Sequence, residues 1–314
     1  AVQTWTGSPG LSGRPLIALF GLWLAARLVW FFPVPLALLV MLQLAFIGLF
    51  IAQMARQLIT ARQRNNYPIL LVLSLLALCQ SFTLAGLVLG DDGLQRRGAL
   101  AALWLIAVML SLIGGRVIPF FTHRALGRVE AFAAYPWQDR LLLACGVLVA
   151  ALFASGHNLQ ASPWLAVLFI LLSVLHGLRL WRWHMRGIWG VPLLWSLHLG
   201  YAWLLVASLG MAAWHLGWLA YPSLASHALA VGAMGGLILA MMARVSLGHT
   251  GRALQPPKAM AWAFGLLNLG ALFRVSAGGS WLWLAALCWG AAFALFAWHY
   301  APMLCRARVD GHPG

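Results

Sequence analysis

Ten stretches of this sequence are apolar almost without interruption and long enough to cross a bilayer, and no other feature narrows the fold so far. A helix needs about 20 such residues to span a hydrocarbon core of about 30 Å. The stretches run over 15–32, 35–55, 68–89, 98–114, 141–156, 163–180, 191–213, 224–243, 259–276 and 281–303. Lipid offers nothing to hydrogen-bond a bare backbone, so each stretch must form a helix or join a closed barrel. Barrel strands alternate apolar and polar positions, whereas these runs are continuous. The expected fold is all-α: a polytopic helical membrane protein with about ten transmembrane helices, forming a single transmembrane domain over 1–314. Of the 314 residues 63% are hydrophobic and 8% charged, too few charges to cover a soluble domain. A cytosolic enzyme, a disulfide-rich secreted scaffold and a disordered chain are excluded.

The breaks between the runs carry turn chemistry. Pro33 and Pro35, the Gly90-Asp91-Asp92-Gly93 run, Pro222, Pro256-Pro257 and Gly278-Gly279 all read as helix stops. Gly114-Gly115-Arg116 is expected to end the fourth helix, with Pro119 as the helix breaker. Sixteen of the twenty basic residues fall in loops on one side; Arg27, Arg96, Arg97 and Arg274 fall on the other. Positive residues collect on the cytoplasmic face, so both ends of the chain are expected in the cytoplasm. The net charge of +15 then reports topology and not nucleic-acid binding. Trp164, Trp181, Trp218 and Trp298 stand at span ends, as an interfacial aromatic belt would have them. The four cysteines show no C-x-x-C spacing and read as small packing residues.

Inside the membrane, the sequence is poor in ligands other than histidine. All five acidic residues, Asp91, Asp92, Glu130, Asp139 and Asp310, are expected in loops or the tail. Without an intramembrane carboxylate a proton-driven transporter is disfavoured, and Mg or Ca lacks oxygen ligands. Imidazole suits Zn, Cu, Fe and haem iron. His198 lies well inside the seventh span and His176 within the sixth; His227 lies near the outer end of the eighth, and His249 follows that span on the inner side. Each could instead make an interhelical hydrogen bond. His227, Met234 and Met241 recur every seven residues, which on an α-helix puts them on one face. Gly232, Gly235 and Gly236 would let a helix or a flat cofactor approach that segment. His227 and His249 are 22 residues apart, about 33 Å along a straight helix, so they could share one metal only if the segment after Arg244 folds back, and could otherwise serve two sites. Arg116, Arg244 and Arg252 could clamp a haem propionate or a phosphate in bidentate fashion; the alternative for each is a snorkelling topology residue.

The segments WTGSPGLSGRPL, GGRVIPFFT, WSLHLGYAWL and above all HALAVGAMGGLILAMMARVSLGHTGR resemble the NnrS family of bacterial inner-membrane proteins. The resembling positions are Arg116, Pro119, His198, His227, Arg244, His249 and Arg252. The resemblance implies bound haem and copper and a role in nitric oxide metabolism or nitrosative-stress tolerance. It makes His198, His227 and His249 the candidate metal ligands, with His176 in reserve and Arg116, Arg244 and Arg252 as cofactor-binding partners. Family members are longer, with about twelve spans by hydropathy, and open on an HPFRPFF-like region with a His-x-His-Glu-like stretch. This chain begins at the WTG segment, shows no signal peptide, and is expected to lack those first two helices. Nitric oxide is apolar and lipid-soluble, so a ferrous haem or Cu(I) within the bilayer would meet it directly. Reducing it would further require protons and an electron donor. The alternative is a small-solute or metal transporter without a redox centre, although the repeated halves usual in transporters are not found.

Overall fold

The computed structural model of the chain describes residues 10–128, 132–276 and 281–311. Glu130, the Gly278-Gly279 break and the first five residues of the WTG segment lie outside the described residues. Within them stand ten helices long and apolar enough to cross a membrane, and no strand. They are α1 (Gly13–Leu28), α2 (Leu36–Thr60), α3 (Tyr67–Leu89), α4 (Asp92–Ala125) and α5 (Pro136–Ala154). They continue as α6 (Pro163–Trp183), α7 (Pro192–His215), α8 (Ser223–His249), α9 (Ala259–Ser276) and α10 (Leu282–Leu304). The all-helical membrane fold read from the sequence is thus observed. Large apolar side chains such as Ile17, Phe31, Trp164 and Trp298 remain mostly exposed, as a lipid-facing surface requires.

Local chemistry explains the helix ends. Gly90 closes α3 in the left-handed conformation (φ 68°), which favours glycine. The next residue caps α4: Asp91 Oδ1 accepts the Leu94 N–H at 2.9 Å. Proline opens α6 and α7, where its missing N–H leaves no intrahelical bond unmade.

Two boundaries differ from the sequence reading. The fourth helix does not end at Gly115, and Pro119 does not break it; α4 continues to Ala125 with Pro119 inside. Pro119 leaves the Gly115 carbonyl without its α-helical donor, a defect that membrane helices tolerate when neighbours pack close. The neighbour here is Arg179: an ideal Cβ on Gly115 would stand 3.0 Å from its Nη1. The second difference concerns the carboxylates. Because α5 begins at Pro136, Asp139 lies in its first turn, and Asp92 likewise lies in the first turn of α4. Both carboxylates therefore belong to span helices and not to loops. The partial positive charge of a helix N-terminus favours them there.

The chain divides into two compact units. One takes the chain up to Leu105 together with Val149–His157. In it, buried Gln43 of α2 accepts from Arg27 and donates to the Ala26 carbonyl of α1. Gln80 of α3 approaches the same amide at 3.4 Å. Arg27, inside the first expected span, is thus held in α1 by the Gln43 side-chain amide. Gly98 lets α4 close on α3, since an ideal Cβ there would stand 2.5 Å from Thr83 Oγ1. Trp104 stacks on Phe153 at 6.2 Å.

The other unit takes Ile106–Leu148 and the chain from Asn158 onward. Its core is α7, whose Leu194, Leu197, Tyr201 and Leu204 are fully buried. Helices α6, α8 and α9 pack around it, and α9 packs on α10. At the α7–α8 crossing an ideal Cβ on Gly236 would stand 3.2 Å from the Gly200 Cα. Such small residues let membrane helices gain van der Waals contact backbone to backbone. Helix α8 is not uniform: a π-helical stretch, Ala228–Gly235, separates Ser223–His227 from Gly236–His249. The heptad argument for His227, Met234 and Met241 assumed α-helical winding, and the i→i+5 winding removes it. His227 instead meets Arg274 of α9, while Met241 lines a crevice with residues of α4 and α7.

Candidate functional site

A buried polar cluster lies among α4, α5, α6 and α7. It centres on Arg179, which is 4% exposed. Its Nη1 donates to the Ser111 carbonyl (2.9 Å), Ser111 Oγ (3.0 Å) and the Tyr201 hydroxyl (2.8 Å). Its Nη2 donates to the Asp139 carboxylate. The Tyr201 hydroxyl also stands 3.0 Å from His176 Nδ1. Two hydrogen placements satisfy this geometry. Tyr201 can donate to His176, leaving the His176 proton on Nε2. Alternatively it can accept from both His176 and Arg179, freeing His176 Nε2 to accept. The ring of Trp183 packs edge-on against Tyr201 at 5.0 Å and closes the cluster.

Spacing explains the assembly. His176 and Arg179 are three residues apart on α6 and therefore neighbours on one face. The same interval on α7 separates His198 from Tyr201. Sequence reading singled out His176 but missed Arg179 as a cluster centre, along with Tyr201, Ser111 and Asp139. The paired three-residue intervals were the available signal. Asp139 was hidden by the late start assigned to its helix.

His198 stands one turn before Tyr201 and is buried. Its Nδ1 lies 2.9 Å from the Leu194 carbonyl. A carbonyl only accepts, so the proton is on Nδ1 and the neutral ring carries its lone pair on Nε2. That Nε2 is buried and makes no hydrogen bond. Backbone groups of both Leu194 and Trp183 interact with the His198 ring, and the His184 ring lies near it. A buried acceptor without a donor is costly, and an imidazole nitrogen with a free lone pair has the chemistry to bind a metal.

The remaining candidates are dispersed. His227 has the same tautomer, with Nδ1 donating to the Ser223 carbonyl at 2.6 Å. Its Nε2 lone pair, however, accepts from Arg274 at 2.7 Å. His249 is exposed at the far end of α8. Arg244 is buried and sits over the Phe121 ring at 3.5 Å, a cation–π contact. Arg252 follows α8, and its Nη1 is buried without a hydrogen bond. Beside it, the Val309 N–H donates to the Thr250 carbonyl at 3.1 Å, holding the tail on this turn. Asp310 in that tail accepts from Arg308, which raises the guanidinium pKa above its ordinary value. Arg116 is exposed and lines a separate cavity with Arg179 and Arg182. His198, His227 and His249 are not brought together, and no group of three metal-ligating side chains occurs among the described residues.

His215, by contrast, is wholly engaged. It accepts from the Ser162 N–H at 3.1 Å and donates to Asn158 Oδ1 at 2.7 Å. It ties the end of α7 to the turn before α6 and has no lone pair left for a metal.

An apolar crevice of about 260 Å³ opens between α4, α7 and α8, lined by residues including Gly114, Leu197 and Met241. Gly114 separates it from the polar cluster: an ideal Cβ there would stand 3.0 Å from the Tyr201 ring. A small apolar molecule in the crevice would therefore lie one glycine away from Tyr201.

A protein-family model described as NnrS protein matches residues 1–308. No curated protein and no solved structure was found to match the chain.

Proposed function

The chain belongs to the NnrS family, whose members are membrane proteins related to nitric oxide, and on that premise we propose that it is a haem- or copper-binding protein of the bacterial inner membrane acting in nitric oxide metabolism or nitrosative-stress tolerance. The observation that carries the reading is the buried, unpartnered Nε2 of His198. It offers one imidazole nitrogen, which could hold haem iron or Cu(I). The bound metal would supply the affinity for nitric oxide. The protein's part is to hold the ring of His198 through the Leu194 carbonyl and to fix which nitrogen faces the metal.

Other residues support this assignment to different degrees. Buried Arg244 and the unpartnered Nη1 of Arg252 are guanidiniums fit to receive propionate carboxylates. His176, with its two hydrogen placements, is a second ligand candidate or a proton store beside the site. His227 could ligate only by giving up its bond from Arg274, and His249 only at an exposed position. The crevice beside Tyr201 suits a small apolar ligand arriving through lipid. The excess of basic residues on one side supports cytoplasmic placement of both chain ends.

The test is spectroscopic. Detergent-solubilised protein from haem-replete cells is assayed for copper and for a reduced-minus-oxidised haem spectrum, with and without nitric oxide. His198→Ala is expected to abolish or shift the signal, while His249→Ala leaves it. A wild-type haem signal unchanged in His198→Ala would overturn the ligand assignment. No haem and no copper in the wild type would overturn the function.

A further inference from the structure

The apolar crevice between α4, α7 and α8 leads to a buried guanidinium. Val117 of α4 and Met241 of α8 both line it. One turn further along each helix stand Phe121 and Arg244. These two meet, with the guanidinium carbon 3.5 Å from the ring centroid. Crevice and cation therefore lie in line along one seam between α4 and α8. Ile238 lines the crevice and is 41% exposed, and Val245, seven residues on, is exposed as well. The seam thus opens on lipid.

Arg244 is 6% exposed. A buried charge is costly unless it is paired and hydrogen-bonded. Among the described residues Arg244 makes neither a hydrogen bond nor an ion pair. Its charge is met by the face of Phe121 and opposed by that of Arg124, three residues further along α4. Arg124 is exposed and likewise makes no hydrogen bond or ion pair among the described residues. Two like charges at the edge of a low-dielectric interior raise the local concentration of anions. Guanidinium forks match the paired oxygens of a phosphate. A phosphate that carries an apolar tail would satisfy the cations and the crevice together, as headgroups do in basic pockets between transmembrane helices.

We propose that this seam binds an anionic phospholipid, with one acyl chain in the crevice and the phosphate received by Arg244 and Arg124. The proposal goes beyond the cofactor reading and needs no metal. The crevice favours a lipid over free phosphate, which would leave it unfilled. A small apolar ligand entering from the bilayer would displace the end of the chain.

The experiment follows thermal unfolding of the whole protein in phosphatidylcholine nanodiscs with rising fractions of phosphatidylglycerol. Haem is quantified in the same samples. The wild type is expected to be stabilised by phosphatidylglycerol. Arg244→Gln should lose about tenfold or more in apparent affinity for it. Arg244→Lys keeps the charge and loses the fork, and Arg124→Gln removes the exposed cation, so each should lose less. Val117→Phe fills the crevice without touching the charges and should also weaken the response. Arg64→Gln, an exposed basic residue in the other compact unit, should leave it unchanged. The proposal is overturned if phosphatidylglycerol does not stabilise the wild type, or if Arg64→Gln loses as much as Arg244→Gln. It is equally overturned if Val117→Phe, or Arg244→Gln and Arg244→Lys together, respond as the wild type does. Arg244→Gln that loses haem and keeps the lipid response would assign the guanidinium to a propionate instead.

Discussion

The indole of Trp203 fills the space that a side chain at Gly232 would need: an ideal Cβ on Gly232 would stand 2.3 Å from Trp203 Cδ2. The contact falls within the π-helical stretch of α8. Trp203 is fixed from its other end, where Nε1 donates to Asn268 Oδ1 of α9 at 2.9 Å. One tryptophan therefore joins α7, α8 and α9, and only glycine at 232 leaves room for it.

Gly232→Ala should overpack this junction and destabilise the protein by about 1–3 kcal/mol, the usual range for an added core methyl group that cannot be accommodated. Gly48→Ala is the control, since nothing lies within 4 Å of its ideal Cβ. There the better helix propensity of alanine should leave stability unchanged or slightly raised. Thermal unfolding in one detergent compares the two; equal shifts would refute the close approach.

Tyr201→Phe removes the hydroxyl shared by Arg179 and His176. A destabilisation of about 1–2 kcal/mol is expected, in the range of interhelical hydrogen bonds in membranes. His176→Phe in the Tyr201→Phe background should then cost less than His176→Phe alone. Additive losses in this double-mutant cycle would show that the two residues do not interact.

Asp139→Asn takes the counter-charge from a buried arginine. Asp139 is itself more than half exposed, so the loss should fall below that of a fully buried ion pair. About 1–3 kcal/mol is expected, the scale of a hydrogen bond to a charged group. The unfolding midpoint of the wild type against Asp139→Asn measures it. A midpoint unchanged within error would mean that Ser111 and Tyr201 alone satisfy Arg179.

Gly251→Ala should release the tail. Gly251 has φ +72°, and an ideal Cβ would stand 2.5 Å from Asp310 Cγ. The left-handed backbone strains any side chain there, and the contact displaces the segment held by the Val309–Thr250 bond. Limited proteolysis is expected to cut after Arg306 or Arg308 faster in the variant. Equal rates would place the tail elsewhere in solution.

The candidate site was legible in part, and its parts differ for physical reasons. His198 stood out because a polar ring within an apolar span has no cheap alternative to a partner. That its Nε2 is free while the Nε2 of His227 is occupied could not be read, because the difference is made by Arg274, 47 residues away on another helix. Asp139 was misplaced because hydropathy locates the apolar middle of a span and not the polar turns that extend the helix beyond it. Pro119 was read as a break because local propensity ignores the packing that keeps α4 whole through it.

Taken alone, the sequence determined what depends on each segment's own transfer from water to lipid: ten apolar spans and their helical form. The tertiary structure decided what depends on meetings between segments. It made α8 a π-helix over Ala228–Gly235 where Trp203 packs on Gly232. It gathered Ser111, Asp139, Arg179 and Tyr201 from four helices into one cluster. A span's burial in lipid is a sum over its own residues. A hydrogen bond between helices depends on rotation and depth, which hydropathy does not encode.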